Sequence, residues 1–318
     1  MRIAFIETVY ELAEQDDRIW LLTGDLGFSV LERFARRFPK RYVNMGVAEQ
    51  NMTGVASGLA FEGKTVFTYS IANFPVMRCM EQIRNDVCYH NLSVKIVAVG
   101  GGVAYGAAGY THHAVEDLAV MRALPNMTVL APGDPVEARL ATRAVVDLDG
   151  PCYLRLGKGG EPVVHETAPA FQIGKALVVR EGSDVTIIST GGILGEVMTA
   201  ANQLAPQIQA RVLSMPTVKP LDDGAIIRAA NQTKLLVTVE EHSSVGGLGN
   251  AVAQVLSMMP RPEDCDWIML SLGDAPLQTS GNQCYFRDLF GLDSAHIAQT
   301  IRERLSRLRK PMRPNDKR

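Results

Sequence analysis

Two series of short apolar runs, separated by helix-like stretches, constrain the fold of this chain more than any other feature. Strands that are buried on both faces of a parallel sheet have this continuous apolar character. The runs occupy residues 19–22, 95–99 and 128–130 in the first half, and 184–189, 210–213, 234–239 and 267–270 in the second half. We therefore predict an α/β protein with two successive α/β domains and mostly parallel sheets.

The two series are divided by a stretch that has lost its periodicity, from Gly157 to Phe171. Glycine and proline are frequent there, which indicates a connection. The chain of 318 residues is long enough for two domains of ordinary size. We predict, in chain order, a first domain of residues 1–160, a linker of residues 161–172, a second domain of residues 173–310 and a basic tail of residues 311–318.

Composition argues against several classes of protein. A hydrophobic share of 47% with 21% charged residues is typical of a soluble globular protein. No uncharged apolar run reaches the roughly 20 residues of a membrane span, and the N-terminus lacks the apolar core of a signal peptide. We therefore expect a cytoplasmic location and no membrane partner.

The charge distribution and the cysteine spacing exclude further classes of protein. The net charge is −2, and from Arg302 onward there are 8 basic and 2 acidic residues, so this end carries +6 and the rest of the chain −8. An acidic body argues against nucleic-acid binding. The five cysteines have no metal-ligand spacing.

Candidate functional residues follow the predicted strands. In open α/β sheets, sites gather at the carboxyl ends of strands, where we find Asp25, Glu49, Phe74 and His112. Glu49 opens a helix whose Met52, Val55 and Leu59 recur at helical spacing, which predicts a buried face. A carboxylate in a first turn is also favoured simply by the helix dipole.

The order and spacing of several motifs resemble the transketolase family. The motifs are Gly46 to Met52, Thr68 to Phe74, Arg78 with Glu81 to Arg84, Gly109 to Leu118, and Glu240 to Gly249. The resemblance covers nearly the whole chain, but only the pyrimidine-binding and C-terminal domains of a full-length transketolase. It implies thiamine diphosphate and Mg²⁺ as cofactors.

The resemblance implies a role for each residue near the cofactor. Glu49 would bond the pyrimidine ring nitrogen and so activate the cofactor. Phe74 is the first candidate for stacking on the pyrimidine and Tyr69 the second, while the family's preceding aromatic falls on Ile71. Asp25 would lie beside the cofactor near the subunit interface, although an aspartate after glycine is also a plain turn former.

Substrate contacts are implied on the other side of the site. His112 matches the family histidine that contacts the cofactor amino group and substrate oxygens, and His113 resembles a second histidine of deoxyxylulose-phosphate synthases. A metal site is disfavoured, since a histidine pair supplies too few ligands. Ala108 replaces an acid that usually recognises a sugar hydroxyl. The family's phosphate-binding base falls on Lys158 or Arg155, and Gly100 stands where a histidine is usual.

No segment matches the Gly-Asp-Gly motif that holds the diphosphate and its Mg²⁺ in this family. The resemblance therefore implies a separately encoded N-terminal subunit that holds the metal, in an α₂β₂ heterotetramer. The expected activity is transfer of a two-carbon ketol unit from a ketose to an aldose, with a sugar or sugar phosphate as substrate.

Alternative functions remain open at this point. They are a deoxyxylulose-phosphate-synthase-like enzyme, the β subunit of a 2-oxoacid dehydrogenase, and a non-catalytic interaction subunit. A dinucleotide-binding oxidoreductase is weaker, because no Gly-x-Gly-x-x-Gly follows the first strand.

Overall fold

A computed structural model describes residues 1–258 and 265–308. The predicted basic tail of residues 311–318 lies outside the described residues, as does the end of the predicted second domain. Within these ranges, twelve strands form two sheets. They are β1 (Ile19–Thr23), β2 (Tyr42–Asn44), β3 (Thr65–Ile71), β4 (Val94–Val99), β5 (Thr128–Leu130), β6 (Cys152–Leu156), β7 (Leu177–Arg180), β8 (Val185–Thr190), β9 (Ala210–Ser214), β10 (Thr217–Lys219), β11 (Leu235–Glu240) and β12 (Asp266–Leu270).

Twelve α-helices of the described residues connect or flank these strands. They are α1 (Arg2–Ala13), α2 (Glu32–Arg37), α3 (Glu49–Phe61), α4 (Phe74–Met77), α5 (Met80–Gln82), α6 (Asp117–Ala123), α7 (Pro135–Val146), α8 (Leu194–Leu204), α9 (Asp223–Gln232), α10 (Leu248–Ser257), α11 (Gln283–Leu289) and α12 (Ser294–Leu308). A π-helical segment, Ile83–Cys88, continues α5, and 3₁₀ turns occur at Gly106–Ala108, Tyr110–His112 and Gly191–Ile193. No described helix is both long and apolar enough to cross a membrane.

The sheets confirm the predicted α/β class. The first sheet has the order β10-β5-β6-β4-β3-β1-β2 and the second β12-β11-β8-β9-β7. All neighbouring strands are parallel except for β10 on β5 and β7 on β9, which are edge strands. Each sheet is covered on both faces by helices, as the continuous apolar strands require.

The helices divide into layers on either side of each sheet. Phe5 of α1 and Ala141 of α7 pack in one core with Phe67, while Met52 of α3 packs on the other face with Val66. In the second sheet, α8 and α12 cover one face and α9 and α10 the other. The α3 layer therefore brings Glu49 to the carboxyl edge of the first sheet.

Strand β10 is the main difference from the expected topology. It belongs to the second half of the chain, yet it pairs antiparallel with β5 in the first sheet. A three-residue strand that starts after Pro216 has too little alternation to be identified from sequence. The two halves of the molecule are therefore joined by a shared sheet as well as by the linker.

Hydrogen bonds join the linker to the first turn of α7, one of the helices that cover the first sheet. Asp134 caps α7 through its Oδ1, which accepts a hydrogen bond from the Glu137 amide at 2.8 Å, and its Oδ2 accepts from the amides of Val164 and His165. His165 Nε2 lies 2.8 Å from Glu137 Oε1. This side-chain hydrogen bond raises the pKa of His165. The predicted domain bounds themselves stay a prediction.

The predicted buried face of α3 is partly wrong. Met52 is buried and the partly buried Leu59 packs against the same core, but Val55 is 36% exposed. The buried face consists instead of Met52, Thr53, Ala56, Ser57 and Ala60. The hydroxyls of Thr53 and Ser57 donate to carbonyls one turn back, at 2.9 Å each. Because these bonds satisfy the hydroxyls inside the helix, polar residues occupy the face expected to be apolar.

Candidate active site

Glu49 is buried at the first turn of α3, with only 1% of its surface exposed. Its Oε2 accepts a hydrogen bond from Arg78 Nη1 at 3.0 Å. Its Oε1 is buried and has no hydrogen-bond partner among the described residues. A buried acceptor without a partner is costly, so this oxygen is available to a ligand that brings a donor.

Gly24 follows β1 and lies directly against the Glu49 side chain. A Cβ atom at Gly24 would lie 3.3 Å from Glu49 Cγ and 3.4 Å from Oε1. Any side chain beyond a methyl group would therefore crowd the carboxylate from that side. The glycine keeps the backbone of the β1 loop close to Glu49.

Arg78 links Glu49 to the predicted aromatic position. Its guanidinium carbon lies 4.8 Å from the centre of the Phe74 ring, and its backbone carbonyl accepts a hydrogen bond from Gln50 Nε2 at 2.8 Å. The side chain is 47% exposed. Arg78 thus fixes one oxygen of a buried acid while its own outer part faces solvent.

Phe74 and His112 lie side by side although 38 residues separate them in the chain. Their ring centres are 5.2 Å apart in an edge-to-face arrangement, and Asn73 Nδ2 donates to the Thr111 carbonyl at 2.9 Å. The structure therefore connects Glu49, Arg78, Phe74 and His112 in one continuous group. The parallel order of β1, β3 and β4 explains this, because their carboxyl ends share an edge.

The two histidines have different surroundings. His112 is partly exposed, and its Nδ1 lies 3.0 Å from Thr111 Oγ1, which leaves its Nε2 without a partner among the described residues. His113 is 1% exposed and packs edge-to-face on Phe286 of α11, with its Nε2 3.3 Å from the Gly106 carbonyl. Burial lowers the pKa of His113. This packing does not support the predicted substrate contact of His113.

Asp25 lies in a loop that ties the ends of β1 and β2 together. It has a left-handed φ of 57°. Asn44 Nδ2 donates to Asp25 Oδ1 at 2.9 Å, and the Asp25 amide donates to Asn44 Oδ1 at 3.1 Å. These hydrogen bonds give Asp25 a role in the turn, and its contact with the cofactor stays a prediction.

Tyr69 and Ile71 take different positions on β3. Tyr69 is 3% exposed and stacks on Phe5 at 6.0 Å, and burial raises its pKa to about 12. It faces the α1 layer, opposite to the α3 layer, because successive strand residues alternate. The structure thus does not bring Tyr69 to Glu49, whereas Ile71 is partly exposed at the end of the strand.

A basic group stands beside His112. Lys158 Nζ lies 4.6 Å from the centre of the Tyr105 ring, and that ring lies 6.4 Å from His112. Arg2 is close as well, since its Nε would be 3.8 Å from a Cβ at Gly159, and its charge acts on Tyr105. In the part of the chain that the structure describes, neither Lys158 nor Arg2 has a carboxylate partner.

Arg155, the other candidate for phosphate binding, is a structural residue. It is 4% exposed, and its Nε donates to Asp117 Oδ2 at 2.8 Å. Its Nη2 donates to Asp117 Oδ1 and to the carbonyls of Ala114 and Glu241. Tyr153 donates to Asp117 at 2.5 Å. These contacts do not support the assignment of Arg155 to phosphate, because its Nε and Nη2 donors are already used inside the protein.

Arg78 and Arg2 are the site residues that sequence reasoning missed. Arg78 lies inside a motif that was recognised, but its role depends on a contact with Glu49 across 29 residues. The sequence offered one general indication of this role, namely that a buried acid needs a partner of opposite charge or a hydrogen-bond donor. Arg2 lies in α1 and carries no local signal.

Comparisons with known proteins find matches over most of this chain. The model of the transketolase pyrimidine binding domain matches residues 1–161, and that of the transketolase C-terminal domain matches residues 174–297. An apulose-4-phosphate transketolase subunit of Phocaeicola vulgatus is 40% identical over 305 residues, which is 95% of this chain and 96% of that protein.

Two further relatives have similar coverage. The 6-deoxy-6-sulfo-D-fructose transketolase subunit SqwH of a Clostridium species (strain MSTE9) is 38% identical, over 95% of this chain and 94% of that protein. A solved structure described as a split gene transketolase, inactive beta4 tetramer, has a TM-score of 0.84 and 38% identity, and covers 95% of this chain and 97% of the other.

Proposed function

Because this chain belongs to the transketolase family, we propose that it is the C-terminal subunit of a two-subunit transketolase that depends on thiamine diphosphate. Such an enzyme transfers a two-carbon ketol unit from a ketose to an aldose. Its active site would be shared with a separate N-terminal subunit that holds the diphosphate and Mg²⁺. The observation that carries this proposal is the buried, partnerless Oε1 of Glu49.

The residues around Glu49 fit the pyrimidine half of the cofactor. A pyrimidine ring nitrogen is a hydrogen-bond acceptor, so a proton held by Oε1 and shared with that nitrogen would give Oε1 the partner it lacks. Gly24 lets the backbone of the β1 loop lie close to the carboxylate, and Arg78 holds its other oxygen. When bound, thiamine diphosphate supplies the carbon nucleophile that attacks the ketose carbonyl.

Each side chain of the site has a distinct task in this proposal. Glu49 holds a proton at the pyrimidine nitrogen, and Arg78 fixes the orientation of Glu49. Phe74 forms an apolar wall that positions the ring and limits water. His112 uses its free Nε2 to give a proton to the substrate oxygen and to take it back, while Thr111 orients its ring.

Substrate charge is a finer part of the proposal. Lys158 lies over Tyr105, next to His112, and the charge of Arg2 acts on Tyr105; neither cation has a carboxylate partner among the described residues. Two such cations favour a ketose with an anionic end, since cations near an open site bind phosphate or sulfonate groups. The names of two relatives refer to a phosphorylated sugar and to a sulfo-sugar, which supports an anionic substrate here.

The need for a partner subunit has its own support. Exposed apolar side chains occur in the loops that follow β1 and β2, with Phe28 73% and Val47 76% exposed. Large exposed apolar groups around a site mark an interaction surface. A relative that matches this chain over 97% of its own length is described as a split gene transketolase in an inactive beta4 tetramer. We propose that this chain completes its site in an α₂β₂ assembly with the N-terminal subunit.

The test is cofactor binding and turnover with and without the N-terminal subunit. Thiamine diphosphate with Mg²⁺ is titrated by calorimetry into this chain, into a co-expressed N-terminal subunit, and into the copurified mixture. We expect tight binding and ketol transfer only in the mixture. The Glu49→Gln variant should keep its fold and its assembly but lose about 10²-fold or more of its turnover.

The alternatives give different results in the same assay. Release of carbon dioxide from a 2-oxo acid would indicate a deoxyxylulose-phosphate-synthase-like enzyme or a 2-oxoacid dehydrogenase β subunit. Cofactor binding without turnover on any ketose would indicate a non-catalytic subunit. Full turnover by Glu49→Gln would remove the mechanism proposed here.

A further inference from the structure

A cavity separate from the candidate active site lies at the end of α6, between the two halves of the molecule. Its volume is about 440 Å³, within the range of about 300–1,000 Å³ that is usual for small-molecule sites. Arg122 at the end of α6 and Lys219 of β10 form one side, and residues of α9 and α10 form the other. We call it the α6–α10 cavity. It shares no lining residue with the candidate active site.

Two cations of this cavity are held in place by backbone carbonyls. Lys219 Nζ donates to the Arg122 carbonyl at 3.0 Å and also to the carbonyl of Leu124. Arg122 Nη1 donates to the Gly247 carbonyl at 2.9 Å and also to that of Gly246. These bonds orient both side chains but leave further N–H donors of each without a partner among the described residues.

No carboxylate within the described ranges forms an ion pair with either cation. The field of Glu240 reaches Arg122, but the Glu240 oxygens accept hydrogen bonds from the amides of Leu248 and Gly249. Asp223 lies on the rim without pairing to Arg122 or Lys219. The cavity therefore holds two half-buried positive charges that no anion of the described chain neutralises.

Burial makes this arrangement costly. It lowers the pKa of Arg122, and it lowers that of Lys219, on which the nearby Arg122 charge acts in the same direction. Removing cations from water without an opposite charge is unfavourable. An anionic group that enters the cavity would relieve both effects at once.

The remaining lining describes the rest of a ligand. Val218, Leu221, Ile227 and Val255 supply an apolar wall, which suits a compact carbon body. Gln254 and Asp223 are the polar groups of the rim. We propose that the α6–α10 cavity binds a small organic anion, whose carboxylate or phosphate group lies against Arg122 and Lys219 and whose apolar body packs between α9 and α10.

Phenyl phosphate is a suitable probe, because it joins a phosphate group to a compact ring. Its binding to the full chain is measured by calorimetry, next to inorganic phosphate and phenol, which carry only one half of the proposed ligand. Phenyl phosphate should bind more tightly than either. Equal affinity for phenyl phosphate and phenol would contradict the role of the cations.

Two variants on one helix locate the site. Gln254→Glu places an acid on the cavity rim, whereas Ser257→Glu places one on the exposed surface of α10, outside the lining. A like charge should weaken phenyl phosphate binding about fivefold in the first variant and less than about twofold in the second. Equal losses in both, or binding unchanged by Gln254→Glu, would overturn the proposal.

The candidate active site also carries cations, so a third variant separates the two sites. Lys158→Met removes a positive charge next to Tyr105 and should leave phenyl phosphate binding to the α6–α10 cavity unchanged. A loss of binding in Lys158→Met alone would assign the anion to the active site instead. Binding of phenyl phosphate to the α6–α10 cavity therefore does not depend on turnover at the candidate active site.

Discussion

Lys158 shows how a single exposed residue can carry a statement about substrate. It lies over Tyr105 without an ion-pair partner in the described chain. In the assembled enzyme, Lys158→Met should raise the KM of an anionic donor ketose about tenfold and leave kcat little changed, because uniform binding is lost. Steady-state kinetics with a phosphorylated and a neutral ketose measure this split.

Lys64→Met is the matched control, because Lys64 is a lysine outside the site. It should change neither constant. If Lys158→Met impaired the neutral donor as much as the anionic donor, the anion role of Lys158 would be lost.

The buried pair of Arg155 and Asp117 belongs to stability rather than to binding. Asp117→Asn leaves the Arg155 charge without a counterion in a fully buried position. We expect a loss of about 3–5 kcal/mol in the free energy of unfolding, measured by urea denaturation. Asp16→Asn removes the carboxylate of an ion pair with an exposed arginine and should cost much less. A similar small loss in both variants would refute the structural role.

At this scale, sequence identified the residues that local motifs mark. Glu49, Phe74 and His112 follow strands in recognisable segments, and the structure brings them into one group. The role of Arg78 and the burial of Arg155 could not be predicted from sequence, because both depend on side-chain contacts between distant segments. A basic residue looks the same in sequence whether it faces a ligand or a buried acid.

Among the elements, the linker and α7 form the clearest pH-sensitive contact. His165 lies against Glu137, and this hydrogen bond raises the pKa of His165 above its unfolded value. The folded state therefore binds its proton more tightly. The resulting stability is fully present below the unfolded pKa of about 6.5 and is lost as pH rises through the folded pKa.

The His165→Gln variant tests this contact. Wild-type protein should lose unfolding free energy relative to His165→Gln as pH rises from about 6 to 8. Urea denaturation at several pH values gives the difference curve. The His296→Gln variant controls for an exposed histidine whose pKa is also raised, by Asp293, and which does not touch the linker. A flat difference curve for His165→Gln would show that the contact is not linked to folding.

Sequence predicted long, strongly apolar elements well and short ones poorly. The predicted apolar runs correspond to β1, β4 and β5 of the first sheet and to β8, β9, β11 and β12 of the second. Strands β3 and β6, on either side of β4, were not among the predicted runs. Strand β10 has only three residues and joins the other half of the chain. In α3 the pattern of Met52, Val55 and Leu59 suggested one buried face, but Thr53 and Ser57 occupy it. When hydroxyl groups form hydrogen bonds within their own helix, polar residues can be buried, and the hydrophobic pattern then no longer indicates which face of the helix is buried.

For the whole molecule, the outward side of α3 is the feature to test in assembly. Val55 is 36% exposed there, and Gly54 and Gly58 have open space where a side chain would stand. If this side is covered in the proposed α₂β₂ assembly, Val55→Asp should prevent assembly, since an unpaired charge would be buried. Analytical ultracentrifugation of the copurified subunits measures this effect.

Val163→Asp is the control, because Val163 is an exposed valine of the linker, 65% exposed. It should assemble normally. Both variants should unfold at the same temperature as the wild type, because neither changes a core residue. Normal assembly of Val55→Asp would exclude this side of α3 from the subunit contacts.

Strand β10 also has a consequence for how the protein is made. The ribosome completes β5 and β6 of the first sheet about 60 residues before it reaches Thr217, a delay of several seconds at about 5–20 residues per second. During that time the hydrogen-bonding groups of β5 on the open edge have no neighbour. An unpaired edge invites association with other chains, so the nascent first half depends on prompt synthesis of the second.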